Sequence, residues 1–112
     1  MIQVLDAAIY HCQQSAEKSI KAYLTDKNIP FRKIHDISYL VSIAINIDPD
    51  FAELLDPAEK LSPYAVEYRY PDDELEPDIE KVKEALKLAN TFFDFIMQKI
   101  QNEENLFGLE TK

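Results

Sequence analysis

Residues 11–40, HCQQSAEKSIKAYLTDKNIPFRKIHDISYL, decide the fold because they join two helix patterns through a short proline-bearing turn. In the first pattern, from Ile2 to Leu24, apolar residues recur every three or four positions and predict a helix with one apolar stripe. That stripe consists of Leu5, Ile9, Cys12, Ala16, Ile20 and Tyr23. The helix cannot continue through Asn28–Pro30, because proline lacks an amide donor and restricts the residue before it. Asp36 then offers an N-cap for the second helix.

Two sets of polar side chains lie on the first predicted helix, and we expect them to occupy different environments. The set opposite the apolar stripe comprises His11, Gln14, Lys18 and Lys21. Gln13 and Glu17 lie instead near the boundary of the apolar face. This placement favours His11 as a surface or helix-pairing residue.

Two further helices are predicted between residues 37 and 63. The second helix, Ile37–Asn46, is apolar nearly all round, which is typical of a helix central to a bundle or at an interface. Its main apolar face is Ile37, Leu40, Val41 and Ala44. Asp48 and Pro49 resemble an N-cap followed by a first-turn proline, so a third helix should begin there. Pro57 and Pro63 should bend or divide this third helix.

The last predicted helix is long and has two apolar faces. Its main stripe, which we expect to face the core, consists of Ile79, Val82, Leu86, Ala89, Phe93, Ile96 and Ile100. Phe92, Phe95 and Met97 lie outside this stripe, which indicates a second face buried in a dimer or against a partner chain. From Asn102 to Lys112 the periodicity is weak, and we expect a frayed or extended tail.

The composition fits one small all-α domain. A chain of 112 residues with a single glycine favours long helices with proline or polar turns, arranged as an up-and-down bundle of about four helices. We place the bundle at residues 1–104 and a C-terminal tail at 105–112. The chain has neither a window typical of a membrane span nor a secretory signal, so a cytoplasmic protein is expected. Cys12 lies on the apolar stripe and is interpreted as a buried hydrophobe.

The charge distribution bears on nucleic-acid binding. A net charge of −9 opposes non-specific attraction to nucleic acid. A local basic patch is nevertheless available from Lys18, Lys21, Lys27, Arg32 and Lys33. The patch is typical either of a surface that meets a polyanion or of an ordinary solvated helix face. The acidic run before the last helix has no accompanying histidine or fixed loop spacing, so neither a metal site nor a cofactor is predicted.

Three blocks of sequence together resemble the HEPN domain of prokaryotes. The first two are YHCQQSAEKSIKAYL at Tyr10–Leu24 and PFRKIHDI at Pro30–Ile37. The third, YRYPD at Tyr68–Asp72, resembles the R-Y-P signature before the last helix in the subgroup often found beside a minimal nucleotidyltransferase. The resemblance spans residues 5–100. It implies an all-α HEPN-like bundle that forms a homodimer and acts as the partner of a minimal nucleotidyltransferase in a toxin–antitoxin-type module.

The resemblance leaves catalysis open. Many HEPN proteins resemble metal-independent ribonucleases with an arginine followed, after four to six residues, by a histidine. That motif is absent here, because two residues separate Arg32 from His35 and no histidine follows Arg69. Metal-free RNA cleavage still needs a group that moves a proton and a cation that stabilises the phosphorane. His35 can serve as the first, and Arg69 or Lys18 as the second, if the fold brings them together.

Three functional hypotheses follow, with a shared set of candidate residues. In the preferred one, the domain is the dimeric partner of a minimal nucleotidyltransferase, and a polar pocket offers a site for a nucleotide or phosphate group. The residues assigned to that pocket are Glu17, Lys18, Lys21 and Asp36, with His35 and Arg69 beside them. In the second, His35 and Arg69 are the catalytic residues of a divergent endoribonuclease. In the third, the domain binds protein partners and no ligand, while His35 and Asp36 cap a helix and Arg69 anchors the last turn through a carboxylate such as Glu17.

Overall fold

The described residues form an all-α bundle, as predicted. In a computed structural model, residues 2–65 and 79–111 are described, and within these ranges there are four α-helices, two short 3₁₀ helices and no strand. The α-helices are α1 (Ile2–Asp26), α2 (Ile37–Ile47), α3 (Leu55–Leu61) and α4 (Ile79–Thr111). The 3₁₀ helices are Pro49–Leu54 and Ser62–Ala65. Among the described residues, the fold therefore consists of two long helices with four shorter elements between them.

Helix α1 buries the stripe that its periodicity predicts. Ile9, Cys12, Ala16, Ile20 and Tyr23 are all buried, and Leu5 is half-buried. The helix ends where the turn was predicted, with Asn28 at a φ of 59° and the Ile29 N–H donating to the Leu24 carbonyl at 2.9 Å. Asparagine tolerates this left-handed conformation, so the chain turns without a glycine.

Helix α2 also begins and packs as predicted. The Asp36 side chain accepts a hydrogen bond from the Tyr39 N–H at 3.3 Å, which satisfies one of the free amides of the first turn. The buried face is the predicted one, Ile37, Leu40, Val41 and Ala44. The remaining isoleucines are partly exposed, so α2 is central on one side only.

The predicted third α-helix is two elements. Asp48 caps the start by accepting from the Asp50 N–H at 3.0 Å, but the first six residues form a 3₁₀ helix before α3 begins at Leu55. Pro57 explains the division, because it lies in the first turn of α3, where its missing amide has no intrahelical partner to lose. Pro63 follows the end of α3 and lies in the second 3₁₀ helix.

Helix α4 differs from the prediction in the face that it buries. Its core face is Ala85, Ala89, Phe92 and Ile96. Three residues of the predicted core stripe, Ile79, Leu86 and Phe93, are instead 53%, 52% and 51% exposed. Both faces are apolar, so periodicity alone selects the wrong one for these residues. Phe92, predicted to lie on a secondary face, is fully buried.

The predicted frayed tail is also wrong, because α4 continues as a helix to Thr111. The side chain of Glu103 binds Lys27 at the end of α1, which fixes α4 beyond the apolar stripe. Helix propagation from an existing helix costs little, and Gln101–Glu104 includes good helix formers.

Helices α1 and α4 run parallel and enclose most of the core between them and the short elements. Ala8 and Val82, both early in their helices, line one cavity, and Lys27 meets Glu103 at the other end. Phe51, from the first 3₁₀ helix, closes the core with ring centroids 4.7 Å from Tyr23 and 4.9 Å from Phe95. This arrangement leaves a groove that is lined by residues of α1 and α4.

Candidate functional site

A buried carboxylate organises the polar residues at the junction of α1 and α2. The Glu17 side chain is 7% exposed, and its Oε2 accepts from Lys21 Nζ and from His35 Nδ1, each at 2.8 Å. Its Oε1 accepts from the Gln13 side-chain amide at 3.2 Å. We call these four residues, Gln13, Glu17, Lys21 and His35, the Glu17 cluster. Its donors satisfy both oxygens of a carboxylate that would otherwise be costly to bury.

The Glu17 cluster also joins two segments of the chain. Gln13 Nε2 lies 3.4 Å from the His35 carbonyl, so one amide contacts both Glu17 and the backbone before α2. Gln13 and Glu17 are one helical turn apart and share a face of α1, which explains why this pair lies at the edge of the apolar stripe. Both residues therefore have a structural role.

Hydrogen bonding holds Glu17 in its charged form. Burial of the Glu17 carboxyl by itself raises its pKa, but hydrogen bonds from Lys21, His35 and Gln13, together with the positive charge of Lys21, outweigh burial and lower the pKa below its usual value. Glu17 is thus an anion at neutral pH and holds the two side chains that reach the surface.

The His35 ring is oriented and open to solvent. Its side chain is 74% exposed, although Nδ1 is held by Glu17. Because an ionised carboxylate only accepts hydrogen bonds, Nδ1 carries the hydrogen, and the neutral ring has its free electron pair on Nε2. Lys21 binds the same carboxylate oxygen as His35, so a cation lies beside this ring. The arrangement provides a proton acceptor and a positive charge at one surface point.

A second candidate region is the groove between α1 and α4. One cavity there, of about 480 Å³, is lined by His11, Gln14, Ser15, Lys18, Ser19 and Phe93. The adjoining cavity, of about 310 Å³, is lined by Ala8, His11, Cys12, Ser15, Val82, Leu86, Ala89 and Asn90. Together these residues define the α1–α4 groove, in which a His11 ring nitrogen contacts the Gln14 side-chain oxygen at 3.2 Å. None of its lining residues is acidic.

Comparison with known protein families decides the assignment of this chain. The model of the HEPN domain matches residues 3–101, which is most of the chain and includes both the Glu17 cluster and the α1–α4 groove. The chain belongs to the HEPN domain family. Neither the comparison with curated proteins nor the comparison with solved structures gives a match. The family assignment agrees with the predicted resemblance and with the all-α fold.

The predicted pocket of this HEPN domain is divided between two regions. Glu17, Lys21 and His35 meet in the Glu17 cluster. Lys18 projects from a different side of α1 and lines the α1–α4 groove. The side chain of Asp36 caps α2. The separation follows from the helix, since Lys18 is rotated by about 100° from Glu17.

Arg69, the predicted second catalytic residue, and the rest of the YRYPD block lie outside the described residues. Lys21 was predicted to bind a nucleotide or phosphate group. In the structure it lies beside His35, because both side chains contact the same Glu17 oxygen. The spacing of four residues between Glu17 and Lys21 predicts their contact, but their meeting with His35 depends on how the 28–36 segment folds back. Sequence periodicity carries no signal for that step.

Two further features of the HEPN domain concern binding chemistry. The described part of the chain contains no group of three or more His, Cys, Asp or Glu side chains placed to hold a metal ion. Among residues 2–65 and 79–111, no helix combines the length and hydropathy that crossing a membrane requires. Cys12 lies at the floor of the α1–α4 groove, and burial raises the pKa of its thiol.

Proposed function

We propose that this HEPN protein is the dimeric partner of a minimal nucleotidyltransferase in a prokaryotic two-component module of the toxin–antitoxin type. In this proposal the polar surface beside the Glu17 cluster is left for the nucleotidyltransferase. The observation that carries the dimer is the α1–α4 groove, whose edge exposes Leu86 and Phe93 over half of their surface. Large apolar side chains grouped in this way are typical of surfaces that another protein chain covers. The YRYPD block supports the choice of a minimal nucleotidyltransferase as the partner.

The direct test of the partner role is co-purification. The HEPN protein is expressed with an affinity tag together with the minimal nucleotidyltransferase chain from the same cell, and the eluate is examined for both chains. We expect both chains to elute together after a low-salt wash, because the surface beside the Glu17 cluster is polar and charged and its contacts are weakened by salt. An unrelated acidic helical protein with the same tag is the matched control. Elution of the HEPN protein alone contradicts the proposal.

A nucleotide or phosphate group is part of the proposal, at the surface beside the Glu17 cluster. Lys21 and His35 supply positive and hydrogen-bonding groups there, and Glu17 acts by holding both. The N-terminus of α2, capped by Asp36, lies next to them in the chain. Lys18, the other cation assigned to this binding, lines the α1–α4 groove instead, so Lys21 becomes the residue to test.

Calorimetric titration with ATP tests this part of the proposal. We expect the wild-type protein to bind and Lys21→Ala to bind about tenfold more weakly, because a charge-assisted hydrogen bond to phosphate is lost. Lys87→Ala, which removes an exposed lysine from α4, is the matched control and should bind like wild type. Equal binding by Lys21→Ala and wild type contradicts this assignment. No binding by wild type supports the third hypothesis, an interaction domain without a ligand.

A specific observation also favours the second hypothesis, a divergent metal-independent endoribonuclease. His35 presents Nε2 to solvent while Glu17 holds Nδ1, and Lys21 lies beside the ring. An imidazole oriented by a carboxylate can accept the proton of an RNA 2′-hydroxyl, and an adjacent ammonium can stabilise the charge that develops on phosphorus. The geometry thus supplies the two requirements of cleavage even though the usual Arg–His spacing is absent.

The enzyme hypothesis is tested by incubating the protein with total and transfer RNA in EDTA. A nuclease that uses this site loses cleavage in His35→Ala and retains it in His11→Ala, because His11 lies in the α1–α4 groove and is not in the Glu17 cluster. Cleavage with that pattern overturns the non-enzymatic reading. Intact RNA at micromolar protein, with the helical content unchanged, rules out the nuclease hypothesis and leaves the partner role.

A further inference from the structure

Three exposed apolar residues of α4 lie in one row, and two of them, Leu86 and Phe93, line the α1–α4 groove. Ile79, Leu86 and Phe93 are spaced seven residues apart, so they lie on one side of the helix, and each is just over half exposed. Single exposed apolar residues are common on protein surfaces, but a row of three large ones beside a groove is not. Covering this row with another chain would remove three large apolar side chains from water.

The groove has both small and large side chains in its lining. Ala8, Ser15, Ser19 and Ala89 are among the small ones, and Phe93 is a large, exposed one. A surface that holds a protruding side chain and an adjoining cavity side by side can pair with a copy of itself through a two-fold axis. Each Phe93 then enters the cavity of the other copy. The cavity that it lines, about 480 Å³, is large enough to receive an aromatic ring.

The charge of the groove favours a second copy over a basic protein or a nucleic acid. The chain has 21 acidic and 12 basic residues, so two copies repel one another wherever acidic surfaces meet. The lining of the groove has no acidic residue and only one lysine, Lys18. A basic partner would lack acidic contacts here, and a nucleic acid would need several cations. A second copy needs neither, because a surface depleted of charge is what a homodimer core requires.

We propose that a second copy of this chain docks on the α1–α4 groove, with Phe93 of each copy inserted into the groove of the other. The inference rests on the dimer that belongs to the proposed function, and it assigns that dimer its surface. The Glu17 cluster and the groove lie on different sides of α1. A second copy in the groove therefore leaves His35 and Lys21 accessible to a nucleotide, an RNA or the nucleotidyltransferase.

Sedimentation equilibrium of the full chain tests the surface directly. The wild-type protein is expected to dimerise, and Phe93→Glu should raise the dissociation constant of the dimer at least about 30-fold, the loss expected from removing an interface hot spot. Leu55→Glu is the matched control, because Leu55 is an exposed apolar residue, 38% exposed, on α3. That variant should dimerise like wild type. A monomeric wild type, or a Phe93→Glu variant that dimerises normally, overturns the inference.

A cross-linking experiment covers the case in which Phe93→Glu fails to fold. In a Cys12→Ala background, Ser15→Cys and Phe93→Cys chains are mixed and oxidised. The inference predicts that a heterodimer with an intermolecular disulfide forms well beyond the statistical excess over each homodimer that random pairing of two chains gives. A product distribution that matches random pairing, or no cross-linked product, contradicts it. A monomeric wild type that still co-purifies with the nucleotidyltransferase overturns this inference alone, whereas a dimer without such co-purification overturns the partner role alone.

Discussion

Glu17 shows how one residue can have both a structural and a chemical role. A buried carboxylate is destabilising unless its oxygens are satisfied, and here three side chains donate to it. Two of these donors, Lys21 and His35, reach solvent. The interaction that fastens α1 to the segment before α2 therefore also orients the surface groups that we assign to ligand binding.

The first prediction at the residue scale concerns the pH dependence of stability. The pKa of Glu17 is lower in the folded protein than in the unfolded chain, so its charged form stabilises the fold above the ordinary carboxyl titration, and this stabilisation is lost as pH falls through the folded-state pKa. Glu17→Gln should lower the free energy of unfolding by about 1–3 kcal/mol at neutral pH. The difference from wild type should shrink below about pH 4.

Urea denaturation of both proteins at neutral and acidic pH measures this difference. Glu53→Gln is the matched control, since Glu53 is exposed on the first 3₁₀ helix. A difference between wild type and Glu17→Gln that stays constant with pH would show that the Glu17 charge does not stabilise the fold.

The second residue-scale prediction concerns Cys12. Burial raises the pKa of its thiol, and the residue is 8% exposed. The thiolate is the reactive form, so a disulfide reagent such as DTNB at pH 8 should react much more slowly with the folded protein than with the urea-unfolded chain. The absorbance of the released thiolate follows the reaction. Equally fast labelling of both states would place Cys12 on the surface.

At the scale of elements, Phe51 joins the short segment to both long helices. Its ring is fully buried and packs on Tyr23 of α1 and Phe95 of α4. Phe51→Ala should lower the free energy of unfolding by about 3–5 kcal/mol, because it removes the apolar contacts and leaves a cavity. Ile47→Ala, at a residue that is 40% exposed, should cost less than about 1 kcal/mol. Similar losses for both variants would contradict the packing described.

The elements that the sequence predicts well are those with one unambiguous apolar face. The stripe of α1 and the capped start of α2 follow from local spacing and from the chemistry of Asp36. The buried face of α4 could not be selected, because the row of Phe93 and the row of Phe92 are both apolar, and tertiary contacts decide which one is buried. The end of α4 was missed for a related reason, since its contact with Lys27 is long-range.

For the candidate site, sequence spacing predicts less. The Glu17–Lys21 pair follows from helical geometry, but His35 joins it only because the chain reverses after Asn28. Conversely, Lys18 is adjacent to Glu17 in sequence and yet lies in a different region of the surface. Whether two residues share a pocket depends on which side of a helix each one faces and on the path of the loops. Residue types alone do not specify either.

At the scale of the whole molecule, the two candidate regions differ in their chemistry. The α1–α4 groove is apolar and free of acidic lining residues, whereas the Glu17 cluster is polar and displays a histidine and a lysine. In a chain of net charge −9, we propose self-association at the first of these surfaces and binding of an anionic ligand at the second. Dimerisation is thus assigned to one side of α1, and ligand or partner binding to the other.

The measurement that tests this account most directly is the mass of the complex with the minimal nucleotidyltransferase, determined by multi-angle light scattering after size-exclusion chromatography. We expect one peak that contains both chains, with a mass that requires two copies of this HEPN protein. The Leu55→Glu variant should give the same peak. Separate peaks for the two proteins at micromolar concentration, with both folded, would contradict the central claim that this protein acts by binding a nucleotidyltransferase.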